Sequence, residues 1–197
     1  MRELHRELQK RTQPAVGRIA REFPKAAREV GIDIDATSRH PSYTFNQGFL
    51  RLEMDELRYT AKISPRDGTD IVVGLDLALV VGTVRSEQAR LFGREVDSVA
   101  FLRSLHTAYL AVLRAENRPE GEEVPLRRVT NRLAKNLNRF AADEFNVDLS
   151  GLVQRGDLVV DGKRVHLNHT RDRRQGMLLH GLESGGYVGF ISFKKEK

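Results

Sequence analysis

One stretch constrains the fold of this chain more than any other, Val96–Ala115. From Asp97 it reads DSVAFLRSLHTAYLAVLRA, with Asp97 or Ser98 suited to cap a helix N-terminus. Val99, Leu102, Leu105, Tyr109, Val112 and Leu113 recur at helical spacing, and Phe101, Ala108 and Leu110 widen the stripe. A helix this apolar on so many sides is expected to be buried between two layers. His106, inside it, reads as a core or boundary residue rather than a ligand.

Before this helix the pattern is mixed. Residues 2–30 read as helix, with Leu4, Leu8, Val16, Ile19, Phe23, Ala27 and Val30 on one stripe. Thr12 suits a helix start, Pro14 and Pro24 are expected to break or restart the helix, and Gly31 suits its C-cap. The stripe fits a core face or an arm that docks on a partner. Phe49–Met54 and Leu57–Ile63 alternate, so a hairpin is expected with Asp55-Glu56 as its tight turn and with Leu57, Tyr59, Ala61 and Ile63 facing one way. Pro65-Arg66-Asp67-Gly68 is a turn signal and Ile71–Val73 a third short strand. Asp76 can cap a helix from Leu77 to Phe92, closed by Gly93.

After the central helix, residues 117–123 are polar and hold Pro119 and Gly121, the pattern of a linker. Two domains are expected, 1–118 and 124–197. Pro125 suits the first turn of a helix running to Ala142, with Leu126, Val129, Leu133, Leu137 and Phe140 as its core stripe. On its opposite face Arg128, Arg132, Lys135 and Arg139 follow one another, and no acid occurs between Val124 and Ala142. A solvated surface helix usually interleaves Glu with such cations. Leu149–Leu152 reads as a short helix. Residues 157–160 and 163–167 flank Asp161-Gly162, a type I′ hairpin signal that places Lys163 and Arg164 beside the turn. Helix, short helix and hairpin together suggest a winged-helix part, with this hairpin as the wing. A basic loop follows with Arg171, Arg173 and Arg174, then a last hairpin joining Met177–Leu179 to Tyr187–Phe193, and a frayed tail. The fold class expected is α+β: N-terminal helices with a small antiparallel sheet, a central buried helix and a C-terminal winged-helix-like part with β-hairpins.

Charge sharpens the contrast between the halves. Residues 1–123 hold 19 basic and 19 acidic residues, whereas residues 124–197 hold 14 and 8, so the whole excess of +6 falls in the second part. Such asymmetry points to a polyanion or an acidic protein surface as partner. The chain has no cysteine, which excludes disulfides, thiolate catalysis and cysteine metal sites. It has no apolar run long enough to span a membrane and no secretory pattern at its start, so a cytoplasmic protein without membrane contact is expected.

Signatures of catalysis are weak. A metal nuclease of the restriction type needs two acids and a lysine around one strand. Here Lys62 has Thr60 where an acid should stand, and Glu53 or Asp70 must be recruited from elsewhere. Asp143, Glu144 and Asp148 are explained by capping and by pairing with arginines. His166 and His169, three apart on a strand, are expected on opposite faces and thus not to share zinc. The glycines form no phosphate-cradling loop and no nucleophile elbow is present. The expectation is a protein that is not an enzyme and needs no cofactor.

Four stretches carry a resemblance: FLRSLHTAY (101–109), DEFNVDLSGLV (143–153), LNHTRDRRQGMLL (167–179) and GLESGGYVGFISF (181–193). Residues 99–193 resemble small accessory proteins encoded beside SMC-like ATPases in bacterial defence and DNA-maintenance operons. The resemblance implies a non-catalytic subunit that docks on an ATPase and helps it engage DNA, in antiviral defence or DNA maintenance. The nine cations Arg128, Arg132, Lys135, Arg139, Lys163, Arg164, Arg171, Arg173 and Arg174 are the expected nucleic-acid contacts, without sequence preference. Two alternatives are a stand-alone winged-helix regulator and a metal-dependent nuclease with an atypical site.

Overall fold

The computed structural model of the chain describes residues 18–136, 140–172, 174–180 and 187–196. The chain forms two compact units, Met1–Gly93 and Arg94–Lys197. Both combine helices with an antiparallel sheet, so the fold is α+β. No helix among the described residues is long and apolar enough to cross a membrane.

The first unit begins with helix α1, described over residues 18–29. Leu4, Leu8, Thr12, Pro14 and Val16 lie outside the described residues. Pro24 does not break α1, contrary to expectation. It removes one intrahelical bond, but the flanking Phe23 and Ala27 are fully buried, and Phe23 packs on Tyr43 at 4.8 Å and Phe45 at 6.4 Å between ring centroids. Gly31 ends the helix at φ 76°, and the Ile32 amide returns to the Ala27 carbonyl. Strands β1 (Ser42–Phe45), β2 (Leu50–Asp55), β3 (Thr60–Pro65) and β4 (Ile71–Gly74) form a meander in the order β1-β2-β3-β4. The period-2 pattern of β2 and β3 buries Leu50, Leu52, Met54, Ala61 and Ile63 on one face.

The β2–β3 turn is longer than the sequence suggests. Asp55 pairs with Thr60, and residues 56–59 connect them. The Asp55 carboxylate accepts the Leu57 and Arg58 amides, and Tyr59 adopts φ 54°. Leu57 is therefore a turn residue, 93% exposed, not a core residue of the strand. Strand β1 follows from Tyr43 and Phe45, whose alternation is too short to stand out. Helix α2 (Leu77–Phe92) has the expected caps: Asp76 Oδ1 accepts the Leu79 amide at 2.9 Å, and Gly93 closes it.

The second unit is built on helix α3 (Ser98–Ala115), capped by Asp97 through the Ala100 amide. Leu102, Leu105, Ala108, Tyr109, Val112 and Leu113 are buried, whereas Val99 is 47% exposed, so the helix buries one face rather than lying between two layers. Strand β5 (Val124–Pro125) leads into α4 (Leu126–Asn136), then α5 (Ala142–Arg155). Strands β6 (Val159–Val160), β7 (Lys163–Thr170), β8 (Met177–Leu178) and β9 (Tyr187–Lys195) complete a sheet ordered β5-β9-β7-β6, with β8 also on β9.

Several expectations need correction here. The boundary is at Gly93/Arg94, not at residues 117–123, because the buried face of α3 joins Val129, Leu133, Ile191 and Phe193 in one core. The supposed linker is a tied loop: the Tyr109 hydroxyl donates to the Glu122 carbonyl at 2.8 Å and accepts the Gly121 amide at 3.0 Å. The helix after Pro125 is described as far as Asn136 and does not run on to Ala142, since Phe140 and Ala141 are not helical; Leu137 lies outside the described residues, and the short helix at 149–152 belongs to the longer α5. Asn146 and Ser150 break the apolar pattern of α5 yet are buried, with the Ser150 hydroxyl donating to the Asn146 carbonyl at 2.5 Å. The tail to Glu196 is also ordered by pairing, since Arg164 donates to Glu196 at 2.5 Å. The Asp161-Gly162 hairpin forms as expected, with both residues at positive φ between paired Val160 and Lys163. Ser184-Gly185-Gly186 lies outside the described residues. Met177 and Leu178 pair with Val188 and Tyr187 as expected, and β9 also pairs along its length with β7.

Candidate nucleic-acid interface

Helix α4 separates apolar from cationic residues by its period. Leu126, Val129, Thr130 and Leu133 are buried, so the helix is pinned by that face and the residues one-half turn away meet solvent. Arg128, Asn131, Arg132 and Lys135 project there, opposite Ala111 and Ala115 of α3, and together they line a shallow groove of about 220 Å³. The two alanines keep the α3 wall low, which leaves the cations accessible.

The cations of this groove are not equivalent. Arg128 forms an ion pair with Glu116 at the C-cap of α3. Glu116 also meets Arg118 at 3.2 Å, and hydrogen bonds from Arg128 and then Arg118 hold its carboxyl below the usual range. Arg132 and Lys135 are exposed and have no ion pair among the described residues. Arg139 lies outside them.

The remaining expected contacts are dispersed. Lys163 forms an ion pair with Glu120, which also meets His106 at 3.3 Å. Arg164 is taken by Glu196, so neither β7 cation joins the α4 face. Arg171 and Arg174 are exposed in the loop after β7, and Arg173 lies outside the described residues. This loop is anchored to α4 by a residue the charge pattern did not single out: Arg127 donates to the Gly176 carbonyl at 2.9 Å. Gly176 is required there, because a Cβ would stand 2.4 Å from that of Tyr187 and 2.7 Å from the Thr170 methyl. Neither Glu116 nor Arg127 was identifiable beforehand, since their partners are 12 and 49 residues away.

Elsewhere the acids are paired. Arg94 donates to Glu144 and to Asp148, each at 2.6 Å, as the pairing expectation required. Burial pushes the Asp148 carboxyl up, against the opposing pull of Arg94. In the first unit Lys62 stands 3.3 Å from Glu53 and 3.7 Å from Asp70. The sheet thus brings together the trio considered for a nuclease, with the ammonium between the two carboxylates. Among the described residues no three His, Asp or Glu side chains are grouped to hold a metal ion. A bulge between Asn168 and His169 interrupts the strand, so strict alternation does not govern the placement of His166 and His169.

Comparison of the chain with family models, with curated proteins and with solved structures gives no match.

Proposed function

We propose that this chain is a non-catalytic accessory subunit of a DNA-associated complex built around an SMC-like ATPase, and that it contacts the DNA backbone through α4. The observation that carries this reading is the exposure of Arg132 and Lys135 on a helix with no acid between Val124 and Ala142. Cations so placed follow phosphates and carry no base code. The resemblance of residues 99–193 supplies the ATPase partner and the defence or DNA-maintenance setting.

The order α3-β5-α4-α5-β7-β9, with β9 between β5 and β7, supports the winged-helix reading. In such a domain the second helix of the pair enters the major groove. Here that helix is α5, which carries Asp143, Glu144 and Asp148 against Arg155, and Arg155 meets Asp157 at 3.1 Å. Its acidity favours backbone contact through α4 over base reading by a stand-alone regulator. The double substitution Arg132→Glu/Lys135→Glu should weaken binding to duplexes of unrelated sequence by the same factor, measured by fluorescence anisotropy. Loss confined to one sequence would favour the regulator. Plasmid cleavage with magnesium or manganese that disappears in Glu53→Gln would overturn the non-catalytic reading.

A further inference from the structure

A second surface of the Arg94–Lys197 unit has the opposite character. A cavity of about 300 Å³ opens among α3, α4 and α5, with Phe101, Leu133, Phe140 and Phe145 in its wall. The Phe101 and Phe145 rings stack at 5.4 Å, and Phe140 meets Phe145 at 5.7 Å. Leu133 and Phe145 are buried, while Phe101 and Phe140 are only partly so and offer ring surface to the opening. The volume lies at the small end of the range for small-molecule sites. It suits large apolar side chains entering from outside better than a whole cofactor.

The rim decides what kind of chain would bring them. Glu144 and Asp148 share the single guanidinium of Arg94. Two carboxylates against one cation leave the lining with a net negative charge, which disfavours nucleic acid and favours a basic peptide.

We propose that this cavity docks a basic amphipathic helix of a partner protein. Its apolar side chains seat on Phe101 and Phe140, and its Lys or Arg residues lie beside Glu144 and Asp148. Helix-in-groove recognition uses this combination of spaced apolar anchors and flanking charge. The proposal does not depend on DNA contact by α4, because the residues differ.

The test uses the full chain and three labelled synthetic peptides of about 18 residues, long enough to sustain helical periodicity. One has leucine at i, i+3, i+4 and i+7 with lysine elsewhere. The second replaces each lysine with glutamate, and the third scrambles the leucines. The first is expected to bind at least about tenfold tighter than either other, a difference of about 1.4 kcal/mol. Ser104→Trp, which fills the mouth from α3, and Glu144→Lys should each weaken it about tenfold, with folding checked by circular dichroism. Arg132→Glu/Lys135→Glu should leave peptide binding unchanged. Should either cavity variant fail to fold, peptide-dependent hydrogen-exchange protection of residues 100–104 in the unaltered chain replaces it. No binding, equal binding of all three peptides, absence of that protection, or a Ser104→Trp effect on duplex DNA in place of peptide would overturn the proposal.

Discussion

The outer face of the first sheet and the outer face of α4 both display charge, but they arrange it differently. On the sheet, register sets opposite charges side by side: Glu53 faces Lys62 across β2 and β3, and Asp70 comes to the same ammonium from the start of β4. On α4, Arg128, Arg132 and Lys135 follow one another about a turn apart, and among the described residues Glu116 at the end of α3 pairs with Arg128 but not with Arg132 or Lys135. A face that neutralises itself needs only water. A face left with exposed, like charges gains from an external polyanion, since each phosphate it neutralises releases a counterion.

The largest expected effect concerns the scaffold that holds the α4 face. Leu105 is fully buried in the core shared by α3 and α4. Leu105→Ala should cost about 2–5 kcal/mol, measured by denaturant unfolding, with loss of hydrogen-exchange protection in residues 94–197. A cost under about 0.5 kcal/mol, in the range of a surface substitution, would mean that α3 is not the helix on which α4 is aligned.

A smaller effect is expected from Lys62→Ala. Its ion pairs are half-exposed, and such pairs contribute about 0–1 kcal/mol. The substitution should leave DNA affinity unchanged. A drop in DNA affinity comparable to that of an α4 variant would erase the contrast between the two faces.

The Asp148 carboxyl gives a pH-dependent prediction. Its pKa is raised in the folded state, chiefly by burial. The protonated form is therefore favoured by folding, and that contribution is present below the unfolded value and lost as pH rises through the folded one. Asp148→Asn removes the ionisation. Its Tm is expected to exceed that of the unaltered chain at pH 7, by less than the Leu105→Ala effect. The two should converge as the pH falls below about 3.9, the ordinary aspartate value. A lower Tm at pH 7 would show that the Arg94 ion pair outweighs burial.

Much of the scaffold was legible in the sequence because it rests on short-range signals. Asp76 and Asp97 cap their helices, the Asp161-Gly162 turn has the required backbone, and the stripes of α3 and α4 mark their buried faces. The site was legible only in part. Helical spacing correctly grouped Arg128, Arg132 and Lys135 beside one groove. It could not show that Glu116 neutralises Arg128, nor that Glu120 and Glu196 take Lys163 and Arg164, because those contacts join distant positions in sequence. Residues 117–123 misled for a related reason. Pro119 and Gly121 mark an irregular loop equally well whether it is a linker or, as here, is held by the Tyr109 hydroxyl.

The most direct test of the α4 reading is the salt dependence of binding to a short duplex. For the unaltered chain log Kd should rise linearly with log salt concentration, with a slope of about 0.9 per phosphate neutralised. Arg132→Gln should flatten that slope by about one unit. Arg128→Gln should flatten it by less, because Glu116 already serves as its counterion. A slope unaffected by Arg132→Gln, or affected more by Arg128→Gln, would contradict the account.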